Sequence, residues 1–391
     1  AIQINFLSIS DYFSSLISDL QVSNPHFNIY KNYFENSGVL GFLLLLFSIG
    51  FLVQAVVIRM FGSLFASVAD ISTDISSHID FEFLADDIRN PGVIADQIGD
   101  LIKKVYSMTH IIMAFFLLVG NMGYILTASQ LLDNIPHLSH HHLMSVFIIM
   151  ALPLIIICFQ NFIPLIKHEN KPNLFISQLK IQLSGLALFS GVLYILYRAD
   201  ILCSCVISNA LVGSSTFILM LFVLFSFFKR IERYHHSNSI FDLVFKGSVS
   251  GIFLTLIMIS IFSVGLILTF MLNILFVPAA TTLGTLNFIY FVSGFIAQFI
   301  YVLPHYYGLA ITDNLEMMGY VSQEPDTYLE RLLPYKKHDI IIHTIVKMAL
   351  ACISIIVAIS LLGYFYKRLK ITLLLTNHPL VSDIPYLDLT V

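Results

Sequence analysis

Charged residues are scarce in this chain, and tryptophan is absent. Of its 391 residues, 11% are charged and 57% are hydrophobic, and the mean hydropathy is +0.86. A soluble domain carries about 25% charged residues, and polar atoms could not cover this much apolar surface in water. The composition therefore predicts a protein whose main solvent is lipid. The net charge of −4 indicates no nucleic-acid partner.

The sequence motifs of several enzyme classes are also missing. There is no Walker A loop, no GxSxG, no HExxH and no dinucleotide-binding fingerprint. The four cysteines lie in or beside apolar runs, which argues against a disulfide framework. No acid–base or metal-ligand set stands out at one depth of the apolar region. We therefore predict a protein that is not an enzyme and that holds no cofactor and no metal.

Long apolar runs are abundant. A spanning helix needs about 20 mostly apolar residues. Runs of this kind occupy residues 39–58, 108–128, 143–166, 181–197, 201–228, 247–277, 282–304 and 339–366. They predict an all-α polytopic membrane protein with about eight transmembrane helices, in three parts. The predicted parts are an N-terminal segment (1–38), a helical transmembrane domain (39–366) and a C-terminal tail (367–391).

The distribution of lysine and arginine predicts the orientation. Most basic residues lie in loops on one side, which should be cytoplasmic, and both termini then lie outside the cytoplasm. Arg198 and Asp200 interrupt the longest apolar stretch. A charge costs little at the membrane interface and much at the bilayer centre, so we interpret this pair as an external turn between two spans.

The first cytoplasmic loop, residues 59–107, has the pattern of an amphipathic helical hairpin. Apolar residues recur at intervals of three and four: Val68, Ile71, Ile75 and Ile79. The sequence RNPG at 89–92 predicts the turn. Acidic residues outnumber basic ones in this loop, so anionic headgroups should repel it, and a projecting arm is favoured over a helix lying flat. Its predicted docking residues for protein partners are Asp86, Asp87, Arg89 and Asn90.

Polar residues within the spans are candidates for a transport path. They are Asn121, Gln160, Asn161, Gln298, His305, His343 and Lys347. Hydrogen bonds between helices would also explain the amides, and Lys347 is near enough to a helix start to reach the interface. Small residues spaced by four predict close helix packing at Ala187 with Gly191 and at Gly247 with Gly251.

Two further clusters have alternative explanations. His137, His140, His141 and His142 share one predicted loop and would suit metal binding, although a solvated loop explains them without a ligand. Cys203 and Cys205 would suit a soft metal, or serve as small apolar residues in a helix. We favour the explanation without a metal for both clusters.

The scattered polar residues and the arm together indicate a translocation function. We predict a channel, a transporter, or the membrane subunit of a transport or secretion complex. The alternative is a non-conducting scaffold subunit that anchors other proteins. The expected partners are the lipid bilayer and other protein subunits, in a homo- or hetero-oligomer, without nucleic acid.

Overall fold

The computed structural model describes residues 27–79, 90–132, 145–162, 174–232, 240–276, 284–304, 306–308, 342–355 and 357–358. Within these ranges the protein is helical and contains no strand. The helices are α1 (Phe27–Ile79), α2 (Pro91–Leu101), α3 (Ser107–Leu132), α4 (Ser145–Phe162), α5 (Leu174–Arg198), α6 (Ser204–Glu232), α7 (Ile240–Phe276), α8 (Gly284–Ile300) and α9 (Ile342–Ile355). A π-helical turn, Ile102–Tyr106, joins α2 to α3.

Each of the eight predicted apolar runs contains a helix. Among the described residues, five stretches are long and apolar enough to cross a membrane: Leu44–Ser77, Pro91–Gly123, Gln178–Arg198, Ser204–Phe227 and Val244–Leu272. Three shorter apolar helices are Ser145–Cys158, Asn287–Ile300 and Ile342–Ile355. The predicted all-α polytopic membrane fold is therefore confirmed, whereas eight crossings and the orientation of the termini stay predictions.

Helix α8 lies at the centre of the bundle. Every side chain from Tyr290 to Tyr301 is buried, and α3, α4, α5, α6 and α7 all pack around it. These five neighbouring helices together cover all of its sides. Phe295 contacts Phe217 of α6 and Phe262 of α7 edge to face, with ring centroids 5.0 and 5.6 Å apart. Such aromatic contacts fix the position of α8 relative to its neighbours.

The first two apolar runs form one long hairpin. Helix α1 is unbroken over 53 residues, and α2 and α3 return along it. Asn90 starts the return, because its side chain accepts a hydrogen bond from the Gly92 amide (3.0 Å) and Pro91 takes the first helical position. The Asn90 side-chain amide also donates to Ser76 Oγ of α1 (3.0 Å). Asn90 was predicted to dock a protein partner. In the structure, its side chain instead makes hydrogen bonds that start α2 and connect it to α1.

The hairpin packs through a seam of small residues. On the buried side of α1 they recur every seven positions: Ser48, Ala55, Gly62 and Ala69. A Cβ added at Gly99 of α2 would lie 3.0 Å from the Cβ of Ala66. Small residues allow this close approach of two helix backbones. The apolar positions that define the amphipathic pattern in the sequence lie on the other side and are exposed: Val68, Ile71, Ile75 and Ile79.

The π-turn keeps the returning helix in register with α1. Gly99 and Ser107 are both buried but are eight residues apart, whereas buried Ser107 and Ala114 are seven apart. A π-turn accommodates one extra residue in an α-helix. Contact with α1 therefore continues on both sides of the turn, at Gly99 and at His110, whose ring lies 5.7 Å from that of Phe51.

Arg198 and Asp200 lie at a turn, as predicted from the cost of burying them. Helix α5 ends at Arg198, and α6 begins at Ser204. Both charged residues are exposed, and Asp200 adopts a left-handed backbone conformation with φ of 58°. Aspartate is among the few residues that tolerate this conformation, because its short side chain can bond to nearby backbone.

The small residues that bring helices together in the structure are not the ones that the sequence spacing predicts. Ala187 and Gly191 are exposed, as are Gly247 and Gly251, and a Cβ added at any of these three glycines would meet nothing within 4 Å. The residues of each pair do share one face of their helix, as their spacing predicts. That face points away from the other described helices. Close approaches occur at other glycines of the bundle: Gly120, Gly123, Gly185, Gly213, Gly265 and Gly294.

Candidate functional site

A row of polar contacts follows one face of α8, which we call the polar row. Positions 287, 290, 294, 298 and 301 are three or four apart and therefore share that face. The donors and acceptors are Asn209 Nδ2 to Asn287 Oδ1 (3.0 Å), Ser145 Oγ to Tyr290 Oη (3.3 Å), Ser214 Oγ to Gly294 O (3.0 Å), Gln182 Nε2 to Gln298 O (3.3 Å) and Gln178 Nε2 to Tyr301 O (3.2 Å). The row covers about 21 Å along the helix, against a hydrocarbon thickness of about 30 Å.

Gln298 is the least satisfied member of the polar row. It is fully buried, and neither its Oε1 nor its Nε2 makes a hydrogen bond within the described part of the chain. The Oε1 atoms of Gln178 and Gln182 are likewise buried and without a donor there. Burying an amide with unused hydrogen-bonding capacity costs free energy. A buried amide with unused hydrogen-bonding capacity can hold a water molecule or an ion, or take part in the function of the site.

Helices α6 and α8 approach each other most closely beside the polar row. A Cβ at Gly294 would lie 1.9 Å from the carbonyl oxygen of Ala210, and a Cβ at Gly213 would lie 2.0 Å from that of Phe291. Only glycine fits at both positions, because backbone atoms cannot move aside as a flexible side chain can. The Ser214 hydrogen bond to Gly294 lies at this crossing. The contact holds the polar row rigidly against α6.

The π-turn lies beyond one end of the polar row. Its four carbonyl groups from Lys103 to Tyr106 are all acceptors for side chains. Ser107 Oγ donates to Lys103 O, Tyr306 Oη to Lys104 O (3.2 Å), Thr109 Oγ1 to Val105 O (2.9 Å) and His110 Nδ1 to Tyr106 O (2.7 Å). A π-turn departs from the regular helical bonding pattern, and side chains here provide each of these carbonyls with a hydrogen bond.

Tyr306 and Tyr307 connect the π-turn to α9. The Tyr307 hydroxyl is 3.0 Å from Thr109 Oγ1, and the Tyr306 ring stands edge to face on His343 of α9 with centroids 5.0 Å apart. Because Tyr301 and Tyr306 are only five residues apart, the same segment that ends the polar row also holds the π-turn. The hairpin, the row and α9 therefore meet at one place.

The structure brings two of the predicted transport residues to this region. Gln298 belongs to the polar row, and His343 lies against Tyr306. Asn121 is buried in α3, whereas Lys347 is exposed on the outer side of α9. The side chains of Gln160 and Asn161 in α4 lie outside the described residues, as do His305 and the docking candidates Asp86, Asp87 and Arg89.

Of the polar row, the sequence interpretation named only Gln298 as a transport candidate, and the amide side chains that it missed include Gln178, Gln182 and Asn209. Gln178 and Gln182 are four residues apart on α5, and Asn209 is on α6. The spacing of the two glutamines, just before the apolar body of a span, was the available signal. Lys180 lies between them, so the sequence of this segment also resembles a solvated helix start.

Charged groups of the described residues gather on the hairpin near the π-turn. Asp100 pairs with Lys103 and with Lys104, the second pair at 3.5 Å. This part of the hairpin lies beyond the predicted spans, which end near residues 58 and 108. Partial burial, followed by the charges of Asp100 and Asp70, raises the pKa of Asp96 above its ordinary value. Asp70, Asp96 and Asp100 thus lie near one another on the hairpin, beside Lys103 and Lys104.

The described residues provide no metal-binding set. Only five of the 24 acidic residues have side chains that the structure describes: Asp70, Asp74, Asp96, Asp100 and Asp200. No three carboxylate, imidazole or thiol groups among the described residues are placed to hold one metal ion. Cys203 and Cys205 bring their sulfur atoms to 2.7 Å, without a third ligand in that part of the chain. The histidines at 137–142 lie outside the described residues.

Comparison with known proteins adds what the geometry alone does not show. Residues 20–314 match the family model of inorganic H+ pyrophosphatase, and this range includes the hairpin, the π-turn and the polar row. No curated protein matches the chain. The family supports the predicted role in membrane transport. The prediction that the chain is not an enzyme is wrong, because this is a family of pyrophosphatases. The chain belongs to the inorganic H+ pyrophosphatase family.

Proposed function

We propose that this chain carries protons across the membrane along the polar row, using the hydrolysis of inorganic pyrophosphate as the energy source. The observation that carries the proposal is the fully buried Gln298, whose amide keeps unused hydrogen-bonding capacity on the central helix. The family match supplies the transported ion and the energy source. The conducting chain would thus be an active transporter rather than a passive channel.

The surroundings of the polar row suit proton transfer better than transfer of a large solute. A proton moves between hydrogen-bonding groups, which the amides and hydroxyls of the row supply at intervals of about one helical turn. About a quarter of a turn around α8 from the row, Phe295 packs against Phe217 and Phe262. This aromatic packing leaves no polar route on that side within the described residues. A narrow path restricted to one face favours a proton over a hydrated ion.

The π-turn end of the row is our candidate for the side where hydrolysis takes place. Asp100, Lys103 and Lys104 lie there, and Tyr306 joins the turn to the row. Enzymes that transfer phosphoryl groups commonly hold Mg²⁺ with carboxylates. The five described acidic side chains do not form such a set, so we assign no hydrolytic step to them.

The test uses the purified chain reconstituted in sealed vesicles. Proton transport is followed with a pH-sensitive dye after pyrophosphate is added, and phosphate release is measured in the same sample. Gln298→Met keeps the volume of the side chain and removes its amide. We expect at least a tenfold loss of proton transport, with a smaller effect on phosphate release. Gln54→Met, at an exposed position on α1, is the matched control and should transport normally.

Three outcomes would contradict the proposal. The first is unmodified protein that hydrolyses pyrophosphate without moving protons. The second is proton leakage that does not depend on pyrophosphate, which would indicate a channel. The third is a Gln298→Met variant that transports as fast as the Gln54→Met control. Size-exclusion profiles of both variants distinguish a defect in transport from a defect in folding.

A further inference from the structure

Two cysteine side chains meet at the turn between α5 and α6, and we call them the cysteine pair. The Sγ atoms of Cys203 and Cys205 are 2.7 Å apart. Non-bonded carbon atoms prefer a separation of about 3.5–4.0 Å, and sulfur is a larger atom than carbon. The two sulfur atoms are therefore closer than ordinary side-chain packing would place them, and they are close enough to react with one another.

The backbone holds both cysteines in these positions. The Leu196 carbonyl accepts a hydrogen bond from Ile201 N (3.0 Å), which fixes the short loop that leads to Cys203. Ile207 N donates to Cys203 O (3.3 Å), so Cys203 is joined to the beginning of α6, and Cys205 lies in the first turn of that helix. The two thiols therefore meet without any rearrangement of the fold.

The cysteine pair is accessible from water. Both cysteines are half-buried, and Ser204 between them is exposed, as are Arg198 and Asp200 of the same turn. Charged residues are far less costly at the membrane interface than at the bilayer centre, which favours a turn within reach of water-soluble reagents. The sequence predicts this turn on the side away from the cytoplasm, where disulfide bonds persist.

A disulfide bond suits this place better than a metal ion. Soft metal ions bind cysteine as the thiolate, and two thiolates with one monovalent ion would leave a net negative charge. The apolar neighbours Leu202 and Val206 are 2% and 0% exposed, and such surroundings disfavour a charge. No third ligand among the described residues is placed to complete a metal site. A disulfide carries no charge and needs no further ligand.

We propose that Cys203 and Cys205 form a reversible dithiol–disulfide site, and that the oxidised form restrains the first turn of α6. The oxidant is a low-molecular-weight disulfide such as glutathione disulfide. One cysteine attacks a sulfur atom of the oxidant as the thiolate and releases one glutathione, and the other cysteine then attacks the mixed disulfide and releases the second. One S–S bond forms in the protein and the S–S bond of the oxidant breaks. Two electrons and the two thiol protons pass to the two glutathione molecules.

The site lies at the end of the polar row that is farthest from the π-turn. Cys205 and Asn209 are four residues apart and share one face of α6, and Asn209 Nδ2 donates to Asn287 Oδ1 of the row (3.0 Å). Ser208 Oγ also donates to Cys205 O in the same turn (3.1 Å). A covalent bond between positions 203 and 205 should therefore limit the local opening of the turn that precedes Asn209. The proposal does not depend on the transported ion or on the energy source.

Mass spectrometry of the purified native chain tests the chemistry. Tryptic cleavage after Arg198 and Lys229 gives one peptide that contains both members of the pair, whereas Cys158 and Cys352 belong to other peptides. After incubation with glutathione disulfide, the 199–229 peptide should be two hydrogen atoms lighter than its reduced form. This product should exceed the glutathione adduct of the same peptide about tenfold or more, because the second thiol is already beside the first. Dithiothreitol should restore both thiols.

Cys205→Ser is the matched control. It leaves Cys203 in place without its reaction partner, so the peptide should form only the glutathione adduct. The proposal fails if the native peptide keeps two thiols or carries mainly glutathione. It also fails if Cys203 or Cys205 bonds instead to another cysteine of this chain or of a second chain. Retention of about one copper(I) ion per reduced chain, lost in Cys205→Ser, would identify a metal site and would likewise overturn the proposal.

Hydrogen exchange tests the restraint on α6. The oxidised and reduced forms of the native chain are compared in the same detergent. Amide exchange at residues 206–209 should be severalfold slower in the oxidised form, because the bond restricts opening of the first turn. Residues 217–224 of the same helix serve as the internal reference and should exchange equally in both forms. Equal exchange at 206–209 would contradict the proposed restraint.

Discussion

Replacing Gly294 by alanine should destabilise the bundle strongly, whereas the same change at Gly247 should not. An alanine Cβ at position 294 would lie 1.9 Å from the Ala210 carbonyl oxygen and 2.6 Å from its carbon. Contacts below 3.0 Å are essentially never seen for a real Cβ, so α6 and α8 would have to separate by about 1 Å. The separation would also weaken the hydrogen bond from Ser214 to Gly294 O.

Overpacking of this kind costs about 1–3 kcal/mol, and a lost hydrogen bond adds about 1 kcal/mol. We therefore expect Gly294→Ala to lower the free energy of unfolding by about 3 kcal/mol. Gly247→Ala meets nothing within 4 Å, and alanine favours a helix over glycine by about 0.5–1 kcal/mol. Reversible unfolding in mixed detergent micelles measures both. If Gly294→Ala is no less stable than Gly247→Ala, the close contact of α6 with α8 is wrong.

Three further changes test the hairpin and the π-turn. Asn90→Ala removes the cap of α2 and should cost about 1 kcal/mol, seen as faster hydrogen exchange in α2 with α8 unchanged. Tyr306→Phe keeps the ring contact with His343 but removes the hydroxyl bonded to Lys104 O. Hydrogen exchange should accelerate at the π-turn. Unchanged exchange would show that the Tyr306 hydroxyl does not stabilise the π-turn. Asp96→Asn should stabilise the hairpin at neutral pH, because a raised pKa means that the ionised carboxylate disfavours folding there. This gain in stability should vanish below the ordinary carboxyl pKa of 3.8. A difference in stability between the variant and the unmodified chain that stays constant from neutral pH to below 3.8 would contradict the prediction.

The bilayer is why the fold class could be predicted from the sequence. Hydrocarbon requires helical runs of a definite length, and these runs are readable without knowing what surrounds them. The unbroken α1 was also predictable, because no proline or glycine interrupts residues 63–90. The helix faces that pack against one another could not be predicted in the same way. Gly247 and Gly251 have a suitable spacing, but close packing also depends on which helix lies opposite, and their side of α7 faces none of the described helices.

The candidate site could be predicted only in part, for a similar reason. Gln298 was readable as a polar residue in an apolar run. Gln178 and Asn209 became members of the polar row only because the fold places them against α8. The catalytic class was missed because the motifs sought in the sequence belong to other enzymes.

The eight-residue interval between Gly99 and Ser107 means that the segment 102–106 holds one residue more than a regular α-helix needs to join the same two contacts. Deleting one residue there would leave an interval of seven, which a regular α-helix covers in about two turns, so Gly99 and Ser107 would both still face α1. Inserting one residue instead would rotate one side of the segment by about 100° against the other, and Gly99 would turn away from Ala66. The hairpin should therefore tolerate a single-codon deletion in this segment better than a single-codon insertion.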